Sequence, residues 1–149
     1  MAKASKAAAR GKNAETGIKY SDKSAGQPTL LPVFEALKKL LLPYAKGSLQ
    51  LRGGEGGQVM LVSNKPVEIN GKTRAEYWFA AALVQKGYVG FYFMPVTTAE
   101  KQAMFAPVLL QCLKGKGCFH IKTINAELLK AIETSLAKGY RYCQEQGIL

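Results

Sequence analysis

The stretch that most constrains the fold is YWFAAALVQKGYVGFYFMPV, residues 77–96. Two apolar runs rich in aromatic and β-branched residues flank Lys86-Gly87, a pattern that reads as two strands joined by a tight hairpin. Strict alternation over the first run puts Tyr77, Phe79, Ala81 and Leu83 on one face and Trp78, Ala80, Ala82 and Val84 on the other. Both sets are apolar, so this strand belongs in the middle of a sheet with at least part of each face covered.

The flanking segments supply the rest of such a sheet. SLQLR and QVMLVS read as short strands on either side of GGEGG, and VEINGKTRAEY carries an Asn70-Gly71 hairpin signal. Before them, Leu30, Phe34, Leu37, Leu41 and Tyr44 recur at helical steps, with Thr29 as a candidate N-cap and Pro43 near the stop. After them, TTAEKQAMFAPVLLQCLKG reads as a helix capped by Thr97 or Thr98, with Glu100 or Lys101 in its first turn; Pro107 interrupts the pattern, which predicts a kink or two short helices. CFHIK reads as a short strand. Asn125 then caps a closing helix, 126–146, with Leu128, Leu129, Ile132, Leu136, Tyr140 and Cys143 on one side. The order α, several β, α, β, α predicts an α+β domain: helices on a mostly antiparallel sheet.

Residues 1–28 are rich in Ala, Lys, Gly and Ser and contain few large apolar residues. Such a segment cannot offset its ordering entropy, so the expected organisation is a disordered basic tail, 1–28, followed by one domain, 29–149. The N-terminal MAKASKAAARGKNAETG has no leucine-rich apolar core of the kind a secretory signal needs. No run of about 18 uncharged apolar residues appears, so no membrane span is expected. Three cysteines, Cys112, Cys118 and Cys143, do not suggest a secreted disulfide framework. They read as reduced thiols, which predicts a cytoplasmic protein.

The net charge of +11 divides into +4 on residues 1–28 and +7 on the remainder, so the folded part is basic in its own right. That predicts either simple solubility or an anionic partner, nucleic acid or an acidic protein. Lysine far outnumbers arginine, which points to point-charge attraction more than to bidentate phosphate reading. The candidate anion-binding residues are Lys72, Arg74, Lys86, Lys114, Lys116 and Lys122. The aromatics of 77–93 that face outward are candidates for stacking on bases.

Two further constellations were weighed. CLKGKGCFHIK holds Cys112, Cys118 and the single histidine, His120. These three are the candidate ligands for a transition metal, one short of the four that structural zinc sites use. In an ideal strand Cys118 and His120 share a face with Cβ atoms about 7 Å apart, too far for a direct thiol–imidazole pair. The competing reading is a structural strand. RGGEGG, 52–57, can cradle a phosphate or serve as a glycine-rich hairpin connection; it matches no nucleotide-binding fingerprint and precedes a strand, which favours the connection. One histidine and no clustered carboxylate pair give little support to catalysis.

The segments LPVFEALKKLLLPYA, EYWFAAALVQKGYVGFYFMP, LLQCLKGKGCFHIK and INAELLKAIETSLAKGY together resemble the YdhG-like family of small bacterial domains. The resemblance covers roughly residues 30–146 and rests on packing patterns. It implies a frataxin-like two-layer sandwich, two main helices against a curved antiparallel sheet; the basic folded part and the lack of a catalytic constellation point to a small binding or accessory domain. The alternative that the resemblance implies is iron handling. Iron prefers carboxylate oxygens, and the matching helix offers Glu35 beside Lys38 and Lys39.

Overall fold

The computed structural model describes residues 22–69, 71–97 and 104–149. Eight strands form two antiparallel sheets: β1 (Leu49–Gly53), β2 (Gln58–Ser63), β3 (Val67–Ile69), β4 (Lys72–Arg74), β5 (Tyr77–Gln85), β6 (Tyr88–Phe93), β7 (Leu113–Lys114) and β8 (Cys118–Ile121). Six of them make the main sheet in the order β1-β2-β5-β6-β8-β7, and β3-β4 is a separate hairpin between β2 and β5. A short N-terminal helix, α1 (Leu31–Leu41), a single turn, α2 (Pro107–Leu110), and a long C-terminal helix, α3 (Ala126–Glu145), complete an α+β fold. No helix among the described residues is long and apolar enough to cross a membrane.

The hairpins expected at Lys86-Gly87 and Asn70-Gly71 close as Gln85↔Tyr88 and Ile69↔Lys72. Gly71 and Gly87 sit at φ 78 and 90, the left-handed region that such two-residue turns require. The GGEGG segment is the β1–β2 connection: Gly54 N–H donates to Gln58 O at 2.7 Å, and Lys38 Nζ donates to Gly54 O at 2.9 Å.

The alternation expected along β5 is corrected by a β-bulge. β2 pairs Leu61 with Ala80 and Val62 with Trp78, leaving Phe79 as the extra residue. The bulge resets the pleat. Tyr77 and Phe79 therefore share the helix-side core with Ala80, Ala82 and Val84, while Ala81 and Leu83 face the other side.

The helix layer covers one face of the sheet. Val33, Phe34, Leu37 and Leu41 form the buried stripe of α1, and Leu128, Ile132, Leu136 and Cys143 that of α3. They enclose a fully buried aromatic group: Phe79 meets Phe93 edge-on, with centroids 5.3 Å apart, and Phe105 meets Phe93 at 5.7 Å. Asn125 caps α3 as expected, its Oδ1 accepting from Leu128 N–H at 2.8 Å. Thr29 does not cap α1; it lies in a 3-10 turn, Pro28–Leu30, that runs directly into the helix at Leu30 without a side-chain cap.

Over TTAEKQAMFAPVLLQCLKG the break expected at Pro107 is present: Met104 is helical, Phe105 and Ala106 leave the helix, and Pro107 starts a separate turn, Pro107–Leu110, after extended Ala106. The expected cap and first-turn residues Thr98, Glu100 and Lys101 lie outside the described residues. The KGKG glycines do not join helix to strand; they turn a hairpin, with Leu113↔Phe119 and Lys114↔Cys118 paired and Gly115 at φ 75. The expected tail falls mostly outside the described residues. In its last part, Gln27 bonds the β5–β6 turn: Nε2 donates to Gln85 O at 3.0 Å, and Oε1 accepts from Gly87 N–H at 2.7 Å.

Candidate binding face

The second face of the main sheet carries a cluster of its own. Met60, Val62, Ala81 and Leu83 are buried there, with Tyr92 packed against them, and every member comes from a strand. Above them lies a groove of about 450 Å³ whose lining includes Met60, Trp78, Leu83, Tyr92, Met94 and Cys118. Trp78, the only tryptophan in the chain, is 39% exposed at its edge. Its indole N–H donates to Glu76 Oε1 at 3.3 Å, and Glu76 Oε2 accepts from Arg52 at 2.5 Å. The Arg52 guanidinium holds the Glu76 carboxyl below its ordinary value.

Register shows how this face is built. Directly opposed residues of antiparallel neighbours point to the same side. The pairs Arg52↔Met60, Met60↔Ala81, Ala81↔Tyr92, Tyr92↔Cys118 and Cys118↔Lys114 make one row across all six strands. Five strand spacings give it a length of about 24 Å. Its interior is apolar or aromatic, and each end is a cation. Two same-face steps along β6 from Tyr92, Tyr88 stacks on His120 with centroids 3.8 Å apart and planes at 10°.

The proposed metal ligands can be placed in this frame. Cys118 and His120 share the second face, as alternation predicted, with Phe119 and Ile121 buried on the first. Each is engaged by a ring of β6: Cys118 shares a hydrogen bond with Tyr92, and His120 stacks on Tyr88. Cys112 instead packs against the helix-side core, its thiol donating to Val108 O at 3.8 Å. Among the described residues no three His, Cys, Asp or Glu side chains gather closely enough to hold a metal ion.

Burial raises the thiol pKa of Cys112, which Lys114 partly offsets, and that of Cys118, partly offset by its Tyr92 bond. Both therefore stay protonated near neutrality and are poor nucleophiles. Burial also pushes the Tyr92 hydroxyl up to about 12, with Cys118 adding to the rise.

The six candidate anion-binding residues fall into separate groups. Lys72 and Arg74 lie on the β3–β4 hairpin, and Lys114 and Lys116 at the β7–β8 turn. Both groups are at the end of the sheet where β5 begins and β6 finishes. Lys86 and Lys122 lie at the opposite end, beside the β5–β6 turn and just past β8. Arg52, which the sequence singled out only within the RGGEGG connection, completes the cross-strand row, a position that the β1–β2 register reveals.

Charge is divided between layers. Helices α1 and α3 carry five basic and four acidic residues, whereas residues 42–97 and 104–125 carry nine basic and three acidic. The positive excess therefore belongs to the strands and their connections. Compared with known protein families, curated proteins and solved structures, the chain matches none.

Proposed function

We propose that the protein is a small binding or accessory domain for an anionic partner. The observation that carries this reading is the division of charge: a nearly neutral helix layer on one side, and six excess positive charges on the strands and turns. A field concentrated on one part of a small domain steers polyanions to it before any specific contact forms. The apolar groove on the second sheet face lies within this basic part and offers a surface where a partner can exclude water.

The YdhG-like, frataxin-like description of the domain belongs to the same proposal. What supports it is the antiparallel sheet with an N-terminal and a C-terminal helix on one face. Iron handling fits these residues less well. Helix α1 presents Glu35 beside Lys38 and Lys39, and cations so placed repel a hard metal ion.

Fluorescence anisotropy with labelled heparin, RNA and DNA tests the reading. The expected result is binding whose log K falls linearly with log salt concentration. Absence of binding to all three polyanions at low salt overturns it.

A further inference from the structure

We infer that the second face of the main sheet is a platform for single-stranded nucleic acid, with bases on its aromatic interior and phosphates at its basic ends. The inference rests on the anionic-partner reading and narrows it to one ligand class and one face. Stacking on exposed side chains of a sheet recognises single strands because every unpaired base has a π-face to offer. Three features of this face fit that mode.

The first is the row from Arg52 to Lys114. It alternates neither charge nor polarity: cations stand at its two ends, and Met60, Ala81, Tyr92 and Cys118 lie between. A strand laid along about 24 Å of such a row places phosphates near the cations and bases over the apolar middle. The second is the supply of flat surfaces. Trp78 stands exposed at the groove edge, Tyr92 lines the groove, and the Tyr88–His120 stack lies beside it. The Tyr92 ring covers Gly90, where a Cβ would come within 3.1 Å of its Cζ and hydroxyl, so the ring lies low across the sheet and leaves room above it.

The third is charge. Four of the domain's acids sit on α1 and α3, on the opposite side of the sheet. Glu76, the carboxylate beside Trp78, is paired with Arg52, so at that end a phosphate competes with Glu76 for the guanidinium, and Lys114 is the stronger phosphate contact of the row. A duplex fits less well on this face, because paired and stacked duplex bases have no free face to lay on its rings. A purely apolar small molecule would fill the groove but would make no use of Lys114 at the β7 end of the row.

Trp78 makes the test direct, since it is the only tryptophan in the chain. Intrinsic fluorescence is followed while the full chain is titrated with oligo(dT) or oligo(U) of about 12 nucleotides, with duplex DNA and heparin as comparison arms. The inference expects quenching by the single strands, and tighter binding of them than of duplex at equal salt. Trp78→Ala should weaken single-strand binding roughly five- to a hundredfold, with Trp78→Phe recovering most of it. Lys114→Glu should weaken it and flatten the salt dependence.

Equal binding of duplex, heparin and single strands without a fluorescence change overturns this inference and leaves the anionic-partner reading standing. Unchanged affinity in a folded Trp78→Ala variant overturns it as well. Binding to none of the polyanions removes both. Quenching by a fatty acid but not by the oligonucleotides would assign the groove to an apolar ligand instead.

Discussion

Gly139 of α3 lies directly over the ring of Phe93 in β6. A Cβ built at Gly139 would meet the Phe93 Cζ more closely than real Cβ atoms approach a neighbour, and would stand 3.1 Å from Cε2 and 3.3 Å from Pro95 Cγ. This contact sets how near the C-terminal helix sits to the sheet. Ser135, another small buried residue of α3, instead faces the segment before α2, its Oγ donating to Met104 O at 3.3 Å.

Two effects oppose each other in Gly139→Ala. Replacing glycine inside a helix gains about 1 kcal/mol of intrinsic propensity. Overpacking a buried ring costs about 1–3 kcal/mol, and Phe93, 1% exposed, cannot swing away. Net destabilisation of up to about 2 kcal/mol is expected by urea denaturation. A more stable variant would mean that the helix can move off the sheet.

Phe79→Ala should be among the most damaging single changes. The ring occupies the bulge position and meets Phe93, Tyr44 and Tyr140. Its loss should cost about 3–5 kcal/mol. The bulge is what turns Phe79 inward, so the second face should keep its geometry. A Trp78 emission spectrum like that of the unmodified protein, alongside the lowered denaturation midpoint, checks both parts.

Stability should fall at alkaline pH through a buried pair. The Cys143 thiol donates to the Tyr77 hydroxyl at 3.6 Å in the interior. Burial pushes Cys143 from 9.0 to about 11 and lifts Tyr77 well above its ordinary 10.0. The folded pKa of each lies above the unfolded one, so folding favours the protonated forms. The Cys143 contribution is complete below about pH 9 and is lost between 9 and about 11, a difference on the order of 2–3 kcal/mol. Tyr77→Phe removes one of the two titrating groups, and its stability should decline less steeply in denaturant midpoints measured from pH 8 to 11.

Acid has a smaller, opposite effect through Glu76. Arg52 holds its carboxyl below the ordinary 4.5, so the contribution is present above that value and is lost as pH falls through the lower folded one. The two side chains are 24% and 37% exposed, which limits the pair to about 1 kcal/mol or less. Glu76→Gln should flatten the stability profile between pH 5 and about 2. An identical acid limb in both proteins would show that Arg52 does not depend on this partner for its place.

Periodicity, turn chemistry and capping are local, and they were legible. The stripes of α1 and α3, the Asn125 cap and the two-residue turns before Lys72 and Tyr88 stand where the pattern of residues puts them. The basic character of the folded part and the shared face of Cys118 and His120 were also written in the chain. Pairing decided the remainder. The bulge at Phe79 depends on how β2 meets β5, and it reversed the face assigned to half of the central strand. Cys112 packs on the helix-side core from the turn that follows α2, where its thiol reaches Val108 O. Arg52 and Lys114 are 62 positions apart in sequence, and five successive strand pairings place them at the two ends of one row. Amphipathic spacing tells a residue that it has an inside and an outside; only the register of strands brought together from distant parts of the chain decides which neighbours share that side.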